Sequence, residues 1–258
     1  MGDYDFIIDN ITFSFSNLSS FNICKYGWKL NYIEGEGKER GFFSDFGLFV
    51  HKIHEMYFKD ELKQEDMAKY YEKNYIFEVV AYPPPYPKGM GENYYESGFN
   101  YFRQFSFDKS KYEVVSVEDV INSNHKKNKL VVKPDLVIKE ISTGKHILVD
   151  YKTSKKPLSL KKEDNKILNY KKQMELYSQF LWKEKQIEIS EVQIWFIRDC
   201  FIYSFPLDLN RVMLTLEWFD DTIKDIKNEE EWTPNNTKEN KYFCNNICSV
   251  RSVCEYNK

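Results

Sequence analysis

The sequence of 258 residues predicts a mixed α/β fold arranged around a mostly central sheet, and three observations lead there. From Tyr112 onward the chain carries short apolar runs, YEVVSVEDVI, KLVVKPDLVIKE and KHILVDYKT, with the composition and alternation of strands. Helical spacing follows over 168–182 and 210–226, with VQIWFIRD and FIYSFPL between them as a hairpin. A chain that is 42% apolar, with 20 Phe and 19 Tyr, can bury a substantial core between these layers.

The N-terminal part reads differently. ITFSFSNLSSFNICKYGWKLNYI predicts a short strand, then a helix capped near Ser16 or Asn17. Ser44 or Asp45 is placed to cap a helix over 46–58, and a third helical stretch covers 64–77. The prolines and glycines of AYPPPYPKGMGENYYESGFNYF, residues 81–102, predict a long loop or insertion. Its aromatic rings could stack on unpaired bases, although a plain surface excursion is the commoner role. The final stretch, 231–258, has little periodicity and holds three of the five cysteines, so its order must come from a separate staple. One domain over 1–258 is expected, with its catalytic core at about 112–227.

No run reaches the 18 uncharged apolar residues of a membrane span, and the acidic start MGDYDF lacks the basic region of a signal peptide. A cytoplasmic protein is the expectation. Net charge is −3, yet residues 126–172 hold fourteen Lys against five Asp or Glu, a local +9 that leaves −12 for the rest. Such asymmetry suits a basic face that meets a polyanion, or simply a solvated lysine-rich surface.

The segment KLVVKPDLVIKEISTGKHILVDYKTSKKP concentrates chemistry. If Thr143-Gly144 formed a two-residue hairpin turn, Asp135 would lie opposite Lys152 and diagonal to Asp150, all on one face. A three-residue loop would send the acids to different faces. Two carboxylates and an ammonium on a buried strand pair require neutralisation, either by an ordinary salt bridge or by a hard cation such as Mg²⁺ or Mn²⁺. Such a metal polarises a phosphate and acidifies a bound water. Lys152 would stabilise charge on the phosphoryl group or orient the water, and the Tyr151 carbonyl could complete the metal shell.

Pro134-Asp135, a gap of fourteen residues, then Asp150-Tyr151-Lys152 resembles the PD-(D/E)XK nuclease superfamily. The likeness extends to the RecB-type exonucleases, including the CRISPR-associated ones. Those families follow the catalytic strand with Gln-x-x-x-Tyr on a helix, matched here by Gln173 and Tyr177. They place Gly-x-x-x-His on an earlier helix, matched by Gly47 and His51, with His54 as a rival metal ligand. Glu118, in SVEDV, matches a recurrent acid. The resemblance implies a restriction-endonuclease-like core with helices flanking a central mixed sheet. It implies a metal site of His51, Asp135, Asp150 and the Tyr151 carbonyl, and catalytic assistance from Lys152, Gln173 and Tyr177. Lys155, Lys156, Lys161 and Lys162 would hold the phosphate backbone.

Clustered cysteines in an intracellular chain favour metal over disulfide, and four thiolates suit zinc or a [4Fe–4S] cluster equally. One cysteine before the core, Cys24, and three after it, Cys244, Cys248 and Cys254, resemble the iron–sulfur branch of these nucleases. The Cys-x3-Cys-x5-Cys tail departs from that branch's usual Cys-x2-Cys-x5-Cys. The resemblance implies that the cluster joins the N- and C-terminal segments. The expected activity is exonucleolytic hydrolysis of DNA with single-stranded or free ends. A helicase or integrase-type partner and a bacterial or phage-infected cell are the expected setting. The alternatives are a DNA-end binding or assembly module of a repair, recombination or CRISPR-adaptation complex, and a structure-specific endonuclease.

Overall fold

The computed structural model describes residues 4–37, 39–160 and 164–257. In chain order its elements are α1 (Asp5–Asn10), α2 (Phe15–Ile23), α3 (Lys25–Tyr32), α4 (Phe42–Phe58), α5 (Met67–Glu78), α6 (Met90–Gln104), β1 (Tyr112–Val117), β2 (Ile121–His125), β3 (Asn128–Val132), β4 (Leu136–Glu140), β5 (His146–Lys152), α7 (Asn165–Lys185), β6 (Ile189–Phe196), β7 (Phe201–Pro206), α8 (Leu209–Lys227) and α9 (Lys241–Asn246). They divide into two compact units. One comprises Phe42–Ile121 and Lys133–Val212; the other comprises Met1–Gly41, Asn122–Val132 and Met213–Lys258.

The first unit contains a five-stranded mixed sheet in the order β1-β4-β5-β6-β7. β5 and β6 are parallel and the other neighbours antiparallel. A parallel pair cannot be closed by a tight turn, so α7 supplies the crossover and packs on both strands. Asp164 caps α7, its carboxylate accepting the backbone N–H groups of Lys166 and Ile167. Phe46, Phe49, Val50 and Ile53 of α4 share an aromatic-rich core with Leu136, Ile138, Val149, Tyr151 and Trp195 of the sheet. Side-chain alternation therefore turns Asp150 and Lys152 away from that core.

The central hairpin corrects one expectation. β4 and β5 pair as Leu136↔Val149 through Lys139↔His146, and the Glu140 N–H donates to the Lys145 carbonyl. The loop is therefore 141–144 rather than Thr143-Gly144 alone, and the same register continued one step sets Asp135 across from Asp150, not Lys152. The shift is by two residues, so it preserves the face.

Segment 81–102 also departs from expectation: only its first part is a loop, and α6 begins at Met90. Gly89 (φ 72°) precedes the helix, and a Cβ on Gly98 would lie 2.4 Å from the Tyr71 hydroxyl oxygen. Gly98 thus marks a close helix crossing. Tyr101 and Phe102 are buried in the core, so those rings are withheld from bases. α4 begins at Phe42, four residues earlier than expected, so Ser44 and Asp45 lie inside it, and the Asp45 carboxylate accepts the Ala81 N–H at 3.0 Å instead of capping the helix.

In the second unit, the predicted N-terminal strand reduces to a single bridge between Phe13 and Leu130. Ser14, rather than Ser16 or Asn17, caps α2 by accepting the Asn17 N–H at 3.1 Å. The expected single helix breaks at Cys24, whose sulfur caps α3. Trp28 and Trp232 stack at 5.7 Å, and Phe21 meets Trp28 edge-on at 5.8 Å. Among the described residues, no helix is long and apolar enough to cross a membrane.

Candidate active site

The first unit brings most of the predicted residues together where β1, β4 and β5 meet α4 and α7. Val117 pairs with Leu136, and one step further the Glu118 N–H donates to the Asp135 carbonyl at 3.0 Å. Glu118 adopts a positive φ of 55°, a conformation that costs a non-glycine residue energy. The turn places its carboxylate beside His51 of α4: His51 Nδ1 lies 3.0 Å from Glu118 Oε1 and 3.5 Å from Asp135 Oδ1. Ligand atoms of His51, Glu118 and Asp135 all lie within 4.8 Å of one another. This set of one imidazole and two carboxylates offers the nitrogen and oxygen donors that a hard divalent cation accepts.

Around that trio the backbone is tightly specified. The Tyr151 N–H donates to Asp135 Oδ2 at 2.7 Å, and Lys133 pairs with Glu118 Oε2 at 2.7 Å. On the neighbouring strand, Lys152 Nζ lies 2.7 Å from Asp150 Oδ2 and donates to Gln173 Oε1 at 2.9 Å. Gln173 in turn donates to the Tyr177 hydroxyl at 3.2 Å. Asp150 is 2% exposed, and its Oδ2 is compensated by the Lys152 ammonium 2.7 Å away, an ion pair that also carries a hydrogen bond.

Electrostatics show the cost of assembling these charges. Burial lifts the Asp135 carboxyl to about 7; His51 opposes this and Asp150 adds to it. Burial works against charge on His51, yet Asp135, Glu118 and Asp150 outweigh it and raise the imidazole to about 9. Burial likewise penalises the Lys152 ammonium, but Asp150 and Asp135 raise its pKa above the ordinary lysine value. Burial raises Glu118, but hydrogen bonds from His51 and Lys133 more than compensate and leave it lowered. The shifts of His51 and Asp135 both favour their protonated forms.

His54, the rival ligand, is fully buried and committed elsewhere: its Nδ1 is bonded to the Val50 carbonyl at 3.0 Å and its Nε2 to the Tyr101 hydroxyl at 2.9 Å. Burial lowers its pKa to about 3, so it is a neutral core residue. The sequence marks Glu118 only as an acid outside the expected ligand set, and no motif singles out Lys133. The available signal was positional, an acid directly after the strand that pairs with Leu136.

Lys155 and Lys156 are exposed, with the Lys156 N–H donating to Asp199 Oδ2 at 2.6 Å. Lys161 and Lys162 lie outside the described residues.

In the second unit, Cys24 Sγ accepts N–H groups from Gly27 at 3.3 Å and Asn235 at 3.4 Å. Burial raises the Cys244 and Cys248 thiols, and Cys248 feels the charges of Cys24, Cys244 and Cys254. All four are free thiols, and among the described residues only the His51–Glu118–Asp135 trio brings three ligand atoms within 4.8 Å of one another. Cys200 belongs to the other unit and is exposed.

The family model of the PD-(D/E)XK nuclease superfamily matches residues 12–255. No curated protein gives a match. A solved structure described as the crystal structure of SSO0001 aligns at 16% identity, covering 93% of this chain and 97% of that chain, with a TM-score of 0.35.

Proposed function

The chain belongs to the PD-(D/E)XK nuclease superfamily, and from that premise we propose that it is a metal-dependent exonuclease acting on DNA with single-stranded ends. The observation that carries the hydrolytic part is the His51–Glu118–Asp135 trio within 4.8 Å, beside the Lys152–Asp150 pair on the adjoining strand. His51, Glu118 and Asp135 would hold Mg²⁺ or Mn²⁺, with Asp150 and the Tyr151 carbonyl as further ligands. Bound there, the ion would polarise the phosphodiester and lower the pKa of the attacking water.

The chain's own residues have separable parts in this reading. Lys152 is held charged by Asp150, so it acts as a fixed cation toward the phosphoryl oxygens rather than as a base. Gln173 holds the ammonium from α7, and Tyr177 holds the Gln173 amide. Lys155 and Lys156 contribute unspecific attraction for the phosphate backbone, together with Lys161 and Lys162.

Exonuclease action rests on the resemblance to RecB-type enzymes. The same resemblance, with four cysteines at this spacing, is the support for a [4Fe–4S] cluster on Cys24, Cys244, Cys248 and Cys254; zinc is the competing occupant. Its role would be structural. Brown colour and visible absorbance after anaerobic purification would select iron–sulfur, and a colourless protein with bound zinc would select the alternative. A helicase or integrase-type partner completes the proposal.

The decisive assay incubates the protein with Mn²⁺ and end-labelled linear DNA, single- and double-stranded, beside covalently closed circles. Degradation of linear DNA with circles intact, lost in Asp150→Ala, is the expected outcome. Cut circles would replace the exonuclease with an endonuclease. Activity in both variants, or in neither, would remove the enzymatic reading and leave a DNA-end binding module.

A further inference from the structure

α7 carries Tyr170, Gln173 and Tyr177 at i, i+3 and i+7, a single stripe along a helix. The last two match a motif; Tyr170 matches none. Its ring nevertheless lies 4.8 Å from Lys152 Nζ, the same atom that Asp150 Oδ2 and Gln173 Oε1 approach at 2.7 and 2.9 Å. The Lys152 side chain is only 19% exposed, so the ring stands where water would otherwise solvate the ammonium. The ring is itself anchored. Its hydroxyl is 3.1 Å from Ser154 Oγ, two residues beyond Lys152, and it packs on Phe196 at 6.0 Å.

We propose that Tyr170 is a positioning residue for Lys152, holding the ammonium against the ring face while leaving its charge undiminished. A lysine stem of four carbons tied only to a carboxylate follows that carboxylate, which also cancels its charge. A π face attracts the cation through its quadrupole and carries no net charge of its own. Together with the Gln173 amide, it restricts Lys152 without neutralising it, which is what a group meant for phosphoryl oxygens requires. The role rests on the nuclease reading of this site. Lys166 Nζ lies 5.9 Å from the same ring and is the competing beneficiary.

Two variants separate ring from hydroxyl: Tyr170→Phe keeps the ring and loses the tie to Ser154, and Tyr170→Leu loses both. With Mn²⁺ and single-stranded DNA, Tyr170→Leu should lower kcat about tenfold with KM unchanged, whereas Tyr170→Phe should stay within about threefold of the parent. The ¹³C resonance of the Lys152 ε-carbon, assigned by its loss in Lys152→Arg, supplies a reading without turnover. Its ring-current displacement should persist in Tyr170→Phe and vanish in Tyr170→Leu. An unchanged kcat in Tyr170→Leu, a change in KM alone, or equal losses in both variants would overturn the proposal. If no variant cleaves DNA, the nuclease reading fails by itself. The resonance then still decides, since a signal unmoved in Tyr170→Leu places the ring elsewhere than on Lys152.

Discussion

At the scale of single residues, two of the proposed metal ligands have pKa values raised by their surroundings. His51 is raised to about 9 by Asp135, Glu118 and Asp150 against its own burial, and burial raises Asp135 to about 7. A ligand must shed its proton before it coordinates, so metal binding should release protons below those values. Both shifts are upward, which fixes the sign: Mn²⁺ affinity should rise steeply as pH climbs through 7, rise further toward 9, and then level off. Calorimetric titration at several pH values measures this, and an affinity that is flat between pH 6 and 9 would contradict the ligand assignment. Asp135, Asp150, Lys152, Gln173 and Tyr177 stand out in the sequence because their spacing matches a known pattern. Glu118 was less so, because its place depends on a positive φ at the end of β1 and on the β1–β4 register, which no local pattern encodes.

At the scale of elements, periodicity located β1, β5, β6 and β7 and the helices α4, α5, α7 and α8, but it missed β2 and α6 and ran β3 and β4 together, although they belong to different sheets. The β4–β5 loop is four residues rather than two, yet the face assignment survived because the error was an even number. α6 was hidden by its glycines, which read as breakers. In the structure Gly98 lets α6 approach the buried ring of Tyr71, whose hydroxyl donates to the Tyr95 carbonyl at 3.1 Å. A methyl group there would meet the hydroxyl oxygen at 2.4 Å and ring carbon Cζ at 2.7 Å, in a core with no room to yield. Gly98→Ala should therefore destabilise by about 1–3 kcal/mol despite alanine's better helix propensity. Urea denaturation tests this, and a variant as stable as the parent would mean that the crossing is looser than described.

At the scale of the whole molecule, the chain forms two compact units: one contains the His51–Glu118–Asp135 trio, the other Cys24, Cys244, Cys248 and Cys254. The first depends on a sheet and its core, which composition and alternation made readable. The second depends on a tail with little periodicity, where α9 is six residues long and the remaining order is short turns. Its legible feature was the cysteine spacing. If a cluster fastens Cys24 to the tail, Cys248→Ala should lower thermal stability and open residues 244–254 to proteolysis, since one lost ligand releases the closure of a loop of more than 200 residues. Equal melting temperatures and equal protection would remove the structural role.

The most direct test of the central claim is the Mn²⁺ dependence of DNA hydrolysis in the parent protein and in Asp135→Asn and Glu118→Gln. The parent rate should require Mn²⁺ and saturate with it, and Asp135→Asn should lower it by about a hundredfold or more. Glu118→Gln should need more Mn²⁺ to reach its own plateau. A parent rate indifferent to Mn²⁺, or an Asp135→Asn variant as active as the parent, would rule out a metal-dependent reaction at this trio.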